Sequence, residues 1–370
     1  MKQLIAIFAV LCLLTTAAAA EGFDDAARQS GALDTGTLEE AVPSGAQDLM
    51  DGAEIDQGED LGGGIAGILQ NAGRELESIL KGSLRSGVLL LSVVLLCAVA
   101  GSLYEGTASK TAANFVPTAG TLAVTAIAVG DIHTLIGLGL ETISQIENFS
   151  KVLLPTLAAA TAASGSVGGA AARQMATVLF SDVVLTAIDR LLMPLVYAYI
   201  AAQAANAAIE NNLLGRVAGM LKWAVTTILT MLLICFTGYL TVSGAIAGTA
   251  DAVTIKAAKF AMSGAVPVVG GIISDAAETV LVGAGVLRNT VGVFGMLTIL
   301  AICIIPFLRL GVQYLMYKLT AAMAGTVGDD RVVRLIDGIG GAFGLVLGMT
   351  GACALILLIS IVSSVKAVTG

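Results

Sequence analysis

Long apolar stretches recur along the chain, and short polar breaks divide them. A bilayer's hydrocarbon core is crossed by a helix of roughly 20 apolar residues. By that measure Val88–Leu103 is a first span, extended at its ends by Gly87 and Tyr104. Phe115–Leu140 is a second stretch, interrupted by Asp131 and His133. Two readings fit it. In one, the span ends near Gly130, and Ile132, Leu135, Ile136, Ile143, Ile146 and Phe149 continue as an interfacial amphipathic helix. In the other, a single span buries an Asp–His pair. The helical period that starts at Ile132 favours the first. Val152–Ala172 is a weaker third stretch, rich in Ala, Gly and Ser. Met175–Ala208 follows, with Pro194 inside it; the missing backbone donor predicts a kink at Arg190 to Pro194. Val217–Ala247 is a strong span, with Lys222 and Trp223 suited to the headgroup region. Asn289–Met323 carries Pro306, Arg309 and Lys318 and reads as one tilted helix or one that bends at the proline. Gly328–Asp337 reads as a loop of mixed charge, and Ile339–Val365 as the last span. The stripe Gly340, Gly344, Gly348 on that span marks a helix-packing face.

The pattern before the first span differs. Met1–Ala20 has Lys2, an apolar core and Ala18-Ala19-Ala20, the layout of a cleavable signal peptide. Residues 21–63 are acidic and poor in apolar side chains, which predicts a flexible extracytoplasmic segment. Residues 64–86 change character: Ile65, Ile68, Leu69, Ala72, Leu76, Ile79, Leu80 and Leu84 recur at helical spacing. That predicts an amphipathic helix, lying on the outer membrane surface or packed on the bundle.

Composition agrees with the pattern. The 370-residue chain is 56% hydrophobic and 12% charged, against about 25% charged in soluble domains. The net charge of −8 is a property of the tail: residues 21–60 hold 12 acids and one base, and the remainder is mildly basic. No dense basic face suggests nucleic-acid binding. Five cysteines lie in apolar runs without metal-ligand spacing, so buried thiols are the expectation. The predicted class is all-α: a polytopic membrane helical bundle with its transmembrane domain over 87–370, crossing six or seven times.

Polar residues inside apolar stretches are the candidate chemistry. Asp182, Thr186 and Asp189 share one helical face, with Arg190 beside them; Gln203, Asn206 and Glu210 share another beyond the kink. A polar lining of an aqueous path and a locally paired packing element are both open readings. The segment 251–288 combines Lys256, Lys259, Pro267, Gly270, Gly271, Asp275 and Glu278 between apolar runs, and predicts a helix–turn–helix hairpin, crossing or re-entrant. Unpaired backbone groups are costly in hydrocarbon, so such a break is buried in protein or lines water, and these residues are candidate pore-lining positions. Asp275 and Glu278 suit a helix-start capping pair better than acid–base catalysis. No Walker A, HExxH, GxSxG or kinase signature occurs, no cofactor is implied, and a non-enzymatic role is expected.

The run Thr254-Ile-Lys-Ala-Ala-Lys-Phe-Ala-Met-Ser-Gly-Ala-Val-Pro-Val-Val-Gly-Gly-Ile-Ile-Ser-Asp-Ala-Ala-Glu-Thr-Val-Leu281 resembles the stage III sporulation protein AE family. Asn289-Thr-Val-Gly-Val-Phe-Gly, Leu153-Leu-Pro-Thr-Leu157 and Gly328-Asp-Asp-Arg resemble the same family. The resemblance implies a multi-pass subunit of a mother-cell membrane complex in endospore-forming bacteria. That complex joins a forespore partner to form a secretion-like channel after engulfment, and forespore development depends on it. The implied partners are the other membrane and ring-forming proteins of the same operon, a secretion-type ATPase and a forespore membrane protein. The residues alone leave a second reading open, a stand-alone secondary transporter with a midplane site at its broken helices.

Overall fold

The computed structural model describes residues 38, 40–50, 61–104, 110–163, 169–209, 212–242 and 290–369. These residues are helical apart from short turns, and six helices are long and apolar enough to cross a membrane. The chain is a multi-pass membrane protein. The expected signal peptide and the whole 251–288 hairpin, with Lys256, Lys259, Pro267, Gly270, Gly271, Asp275 and Glu278, lie outside the described residues.

Within the acidic segment a short helix, α1 (Ser44–Gln47), runs into a single 3-10 turn at Asp48–Met50. Leu38, Val42, Ala46 and Met50 are buried at four-residue intervals, so this part of the tail docks on the bundle. The Asn71 side-chain amide donates to the Leu49 carbonyl at 3.4 Å and ties the turn to the next helix.

Helix α2 (Leu61–Tyr104) merges the amphipathic stretch and the first span into one element. Its 44 residues reach about 66 Å, more than twice a hydrocarbon core. Ile65, Ile68, Ala72 and Ile79 are buried while Glu75, Glu77 and Lys81 are exposed, so the predicted amphipathic face packs on the bundle. Helix α3 (Lys110–Ala163) is longer still, at 54 residues and about 81 Å. It passes through Gly130 and Asp131 without a break and continues to Ala163. The expected interfacial helix after Gly130 is therefore the middle of a single helix, and much of the weak third stretch is its last turns. Asp131, which looked like part of a terminus, is instead satisfied by partners on other helices.

Helix α4 (Gly169–Ala187), a π turn (Ile188–Leu192) and α5 (Met193–Ile209) form one interrupted rod. The interruption falls where Pro194 predicts it. Proline offers no N–H to the Arg190 carbonyl, and the Met193 N–H reaches back five residues to Ile188 O. Helix α6 (Asn212–Val242) folds back along α5. Helix α7 (Thr290–Ala324) contains Pro306 and still continues as one element.

Helix α8 (Asp330–Thr369) begins inside the segment read as a loop. Asp329 caps it, its Oδ1 accepting the Arg331 N–H at 2.8 Å, which starts the helix nine residues before Ile339. The α7–α8 pair is the core: 72% and 78% of their apolar windows are buried, against 17–44% in the other four spans. Helix α8 touches α3, α4, α5, α6 and α7. Its glycine stripe serves this internal packing, with Gly340 against the Tyr317 Cβ and Gly344 against the Tyr314 ring.

Candidate functional site

Charged side chains gather where α3 passes the interrupted rod. Glu147 and Lys151 stand one turn apart on α3 and pair at 2.6 Å, with Glu147 only 18% exposed. Asp182 lies on α4, and Asp189 and Arg190 lie in the π turn. Asp182 and Arg190 both act electrostatically on Lys151. Glu147 and Asp189 both act electrostatically on the buried Cys353 of α8, so they belong to the same neighbourhood. Asp182 and Asp189 are half-buried, and Arg190 is exposed.

The sequence-derived face Asp182, Asp189, Arg190 is thus brought together with two further residues, Glu147 and Lys151. The five carry a formal charge of −1 and lie within two of the apolar spans. An ionisable group in a membrane span is expensive unless paired or wet, and this cluster is both paired and partly open. Among the described residues, its carboxylate–base pair at salt-bridge distance is Glu147–Lys151. The sequence pattern does not single out Glu147 and Lys151, whose i,i+4 spacing is that of any solvated pair. The one hint was their position directly before an apolar run, Val152–Leu157.

A second polar node lies between α2, α3 and α7. Asp131 accepts hydrogen bonds from the Ser86 hydroxyl (3.2 Å), the Gln313 amide (2.8 Å) and the Tyr317 hydroxyl (2.9 Å). Gln313 and Tyr317 are buried. His133 is exposed, so the node is not the Asp–His pair of the second reading. One carboxylate accepting three donors is well satisfied, and it pins three helices together.

A third node joins α5 to α8. Tyr199 donates to the Gly338 carbonyl at 2.9 Å, and the Gln203 amide donates to the Tyr199 oxygen at 3.2 Å. A Cβ on Gly338 would sit 2.9 Å from Gln203, so the glycine makes room for that side chain. Gln203 and Asn206, the polar face predicted beyond the kink, therefore face α8 and α6; Glu210 lies outside the described residues.

Among the described residues no group of three or more His, Cys, Asp or Glu side chains has metal-binding geometry. The site's chemistry is that of charge and hydrogen bonding within a membrane-spanning bundle.

A family model described as stage III sporulation protein AE matches residues 50–367. The stage III sporulation protein AE of Bacillus subtilis (strain 168) is 27% identical over 263 residues, covering 70% of this chain. The match spans 65% of that relative's length, a little under two thirds. No solved structure matches the chain.

Proposed function

Because the chain belongs to the stage III sporulation protein AE family, and so has a sporulation-related role, we propose that it is a non-enzymatic membrane subunit of the channel complex linking mother cell and forespore after engulfment. It sits in the mother-cell membrane around the forespore, with its N-terminal segment outside the cytoplasm. It works there with the other membrane and ring-forming proteins of its operon, a secretion-type ATPase and a forespore membrane partner. In this reading the 251–288 hairpin and the charged cluster line or gate the passage. The observation that supports it is the gathering of Glu147, Lys151, Asp182, Asp189 and Arg190 at a π turn inside apolar spans. π turns recur at functional sites, and intramembrane charges mark pathways.

The test replaces the native gene in its spore-forming host with Asp182→Asn, Asp189→Asn and Arg190→Gln variants. Forespore development should stall after engulfment while the protein still reaches the membrane. Normal spore yield from all three would remove the cluster from the mechanism, and normal yield from a full deletion would remove the role itself. The same cluster supports a second reading, a stand-alone secondary transporter. Ion-coupled uptake by the purified protein in liposomes, without partners, would favour that reading; repeated absence of uptake would discard it.

A further inference from the structure

The end of α5, the beginning of α6 and the start of α8 line an open cavity of about 560 Å³. Arg216 enters from α6, Arg331 and Arg334 from α8, and Gln203 and Asn206 from α5. We propose that this cavity binds a phosphate group, the chemistry shared by an anionic phospholipid headgroup and free inorganic phosphate.

Three guanidinium groups dominate the lining. Arg331 and Arg334 are three residues apart on one helix, so both reach the same side of α8. Guanidinium groups bind phosphate oxygens through two parallel N–H bonds, which a pocket lined by arginines and amides favours. Among the described residues the cavity lining contains no acid. Arg334 does lie 3.7 Å from Asp330, but the Asp330 side chain is 91% exposed. Such a solvent-exposed pair is weak and gives way to a phosphate. The amide wall is pre-set: Gln203 is held by Tyr199, and Tyr199 by the Gly338 carbonyl. Asn206 is held close to Gly215, where a Cβ would come within 3.3 Å of its amide. A binding group whose rotamers are already fixed loses little entropy on binding.

The setting matches a headgroup. Ile209 at the end of α5 and Leu213 and Met220 on the first turns of α6 are each more than 60% exposed, and Trp223 farther along α6 is 64% exposed. Exposed apolar residues next to an interfacial tryptophan mark the level where acyl chains give way to headgroups. Basic pockets between membrane helices at that level hold anionic headgroups.

The test uses the purified full-length protein in a neutral detergent. Thermal unfolding is followed with added phosphatidylglycerol, phosphatidylcholine or inorganic phosphate. Phosphatidylglycerol should raise Tm, with an apparent affinity at least about tenfold weaker in Arg216→Gln and Arg334→Gln. Arg85→Gln, a charge loss elsewhere on the surface, should leave the affinity unchanged. An arginine-dependent shift with inorganic phosphate as well identifies the free anion as a ligand; a shift with phosphatidylglycerol alone identifies the lipid. If a pocket variant has a lowered Tm before any addition, native mass spectrometry of lipid bound to the wild type and to Arg216→Lys replaces the melt, and Arg216→Lys should retain partial binding. Equal shifts with phosphatidylglycerol and phosphatidylcholine, unchanged by the arginine variants, would overturn the proposal. So would the absence of any shift or bound lipid.

Discussion

Tyr317, buried in the α7–α8 core, donates its hydroxyl to Asp131 on α3 at 2.9 Å. The bond spans 186 residues of sequence, and the same carboxylate oxygen also accepts from Gln313 at 2.8 Å. Two buried donors therefore depend on one acid.

Removing that acid should destabilise the bundle. Asp131→Ala strands the Gln313 and Tyr317 donors, at about 1–3 kcal/mol for each buried group left without a partner. Tyr317→Phe removes one donor and leaves Asp131 with two, for a loss of about 1 kcal/mol. Thermal unfolding in detergent should rank wild type, Tyr317→Phe and Asp131→Ala in that order. A reversed order would show that Asp131 is held by solvent rather than by these side chains.

Two glycines should respond to alanine with opposite signs. A Cβ on Gly340 would lie 3.0 Å from the Tyr317 Cβ, an atom next to the backbone that cannot swing away. Gly340→Ala should cost about 1–3 kcal/mol through overpacking of the α7–α8 seam. Gly130 lies mid-helix with nothing within 4 Å of the added atom. Gly130→Ala should stabilise by about 0.5–1 kcal/mol, because alanine costs less chain entropy in a helix. Paired melting curves decide both signs.

The thiols should label in a set order. Cys235 is exposed and Cys97 half-buried, whereas Cys303 and Cys353 are buried. In detergent, the apolar, micelle-permeant N-ethylmaleimide, followed by peptide mass spectrometry, should modify Cys235 faster than Cys97. Cys303 and Cys353 should react only after unfolding. Early labelling of Cys353 would mean that the α3–α4–α8 junction is not packed as described.

The pair of Glu75 on α2 with Arg309 on α7 should matter little. Its atoms are 4.0 Å apart, and the two side chains are 51% and 43% exposed. Exposed pairs contribute about 0–1 kcal/mol. Glu75→Gln should shift Tm only slightly, and less at high salt than at low salt. A large loss would place the pair in a drier setting than its exposure indicates.

Apolar runs alone were enough to read a polytopic all-helical bundle, because each run is long, and the proline at 194 marked the interruption within a span at Ile188–Leu192. What sequence missed was continuity. Gly130-Asp131 looked like a helix end because its partners, Ser86, Gln313 and Tyr317, are supplied by distant segments. Asp329-Asp330-Arg331 looked like a loop because a capping aspartate and a first turn of charges resemble solvated chain. The docked tail escaped notice because four apolar residues among many acids scarcely change the average composition. Glu147 and Lys151 were hidden by being so ordinary a pair, and only the crossing of α3 with the rod gives them neighbours.

The π turn at Ile188–Leu192 has a geometric consequence for both ends of its rod. A π turn accommodates one residue beyond the α-helical repeat, so it sets the rotational phase of α5 against α4. If the same residues ran on as a continuous α-helix, everything after the turn would be rotated by about 100° about the rod axis. Asp182 would stay beside Lys151, while Tyr199, Gln203 and Asn206 would rotate off the Gly338 face and away from the three arginines. A single residue therefore acts as the angular offset that lets one rod present acids to α3 at one level and amides to α8 at another.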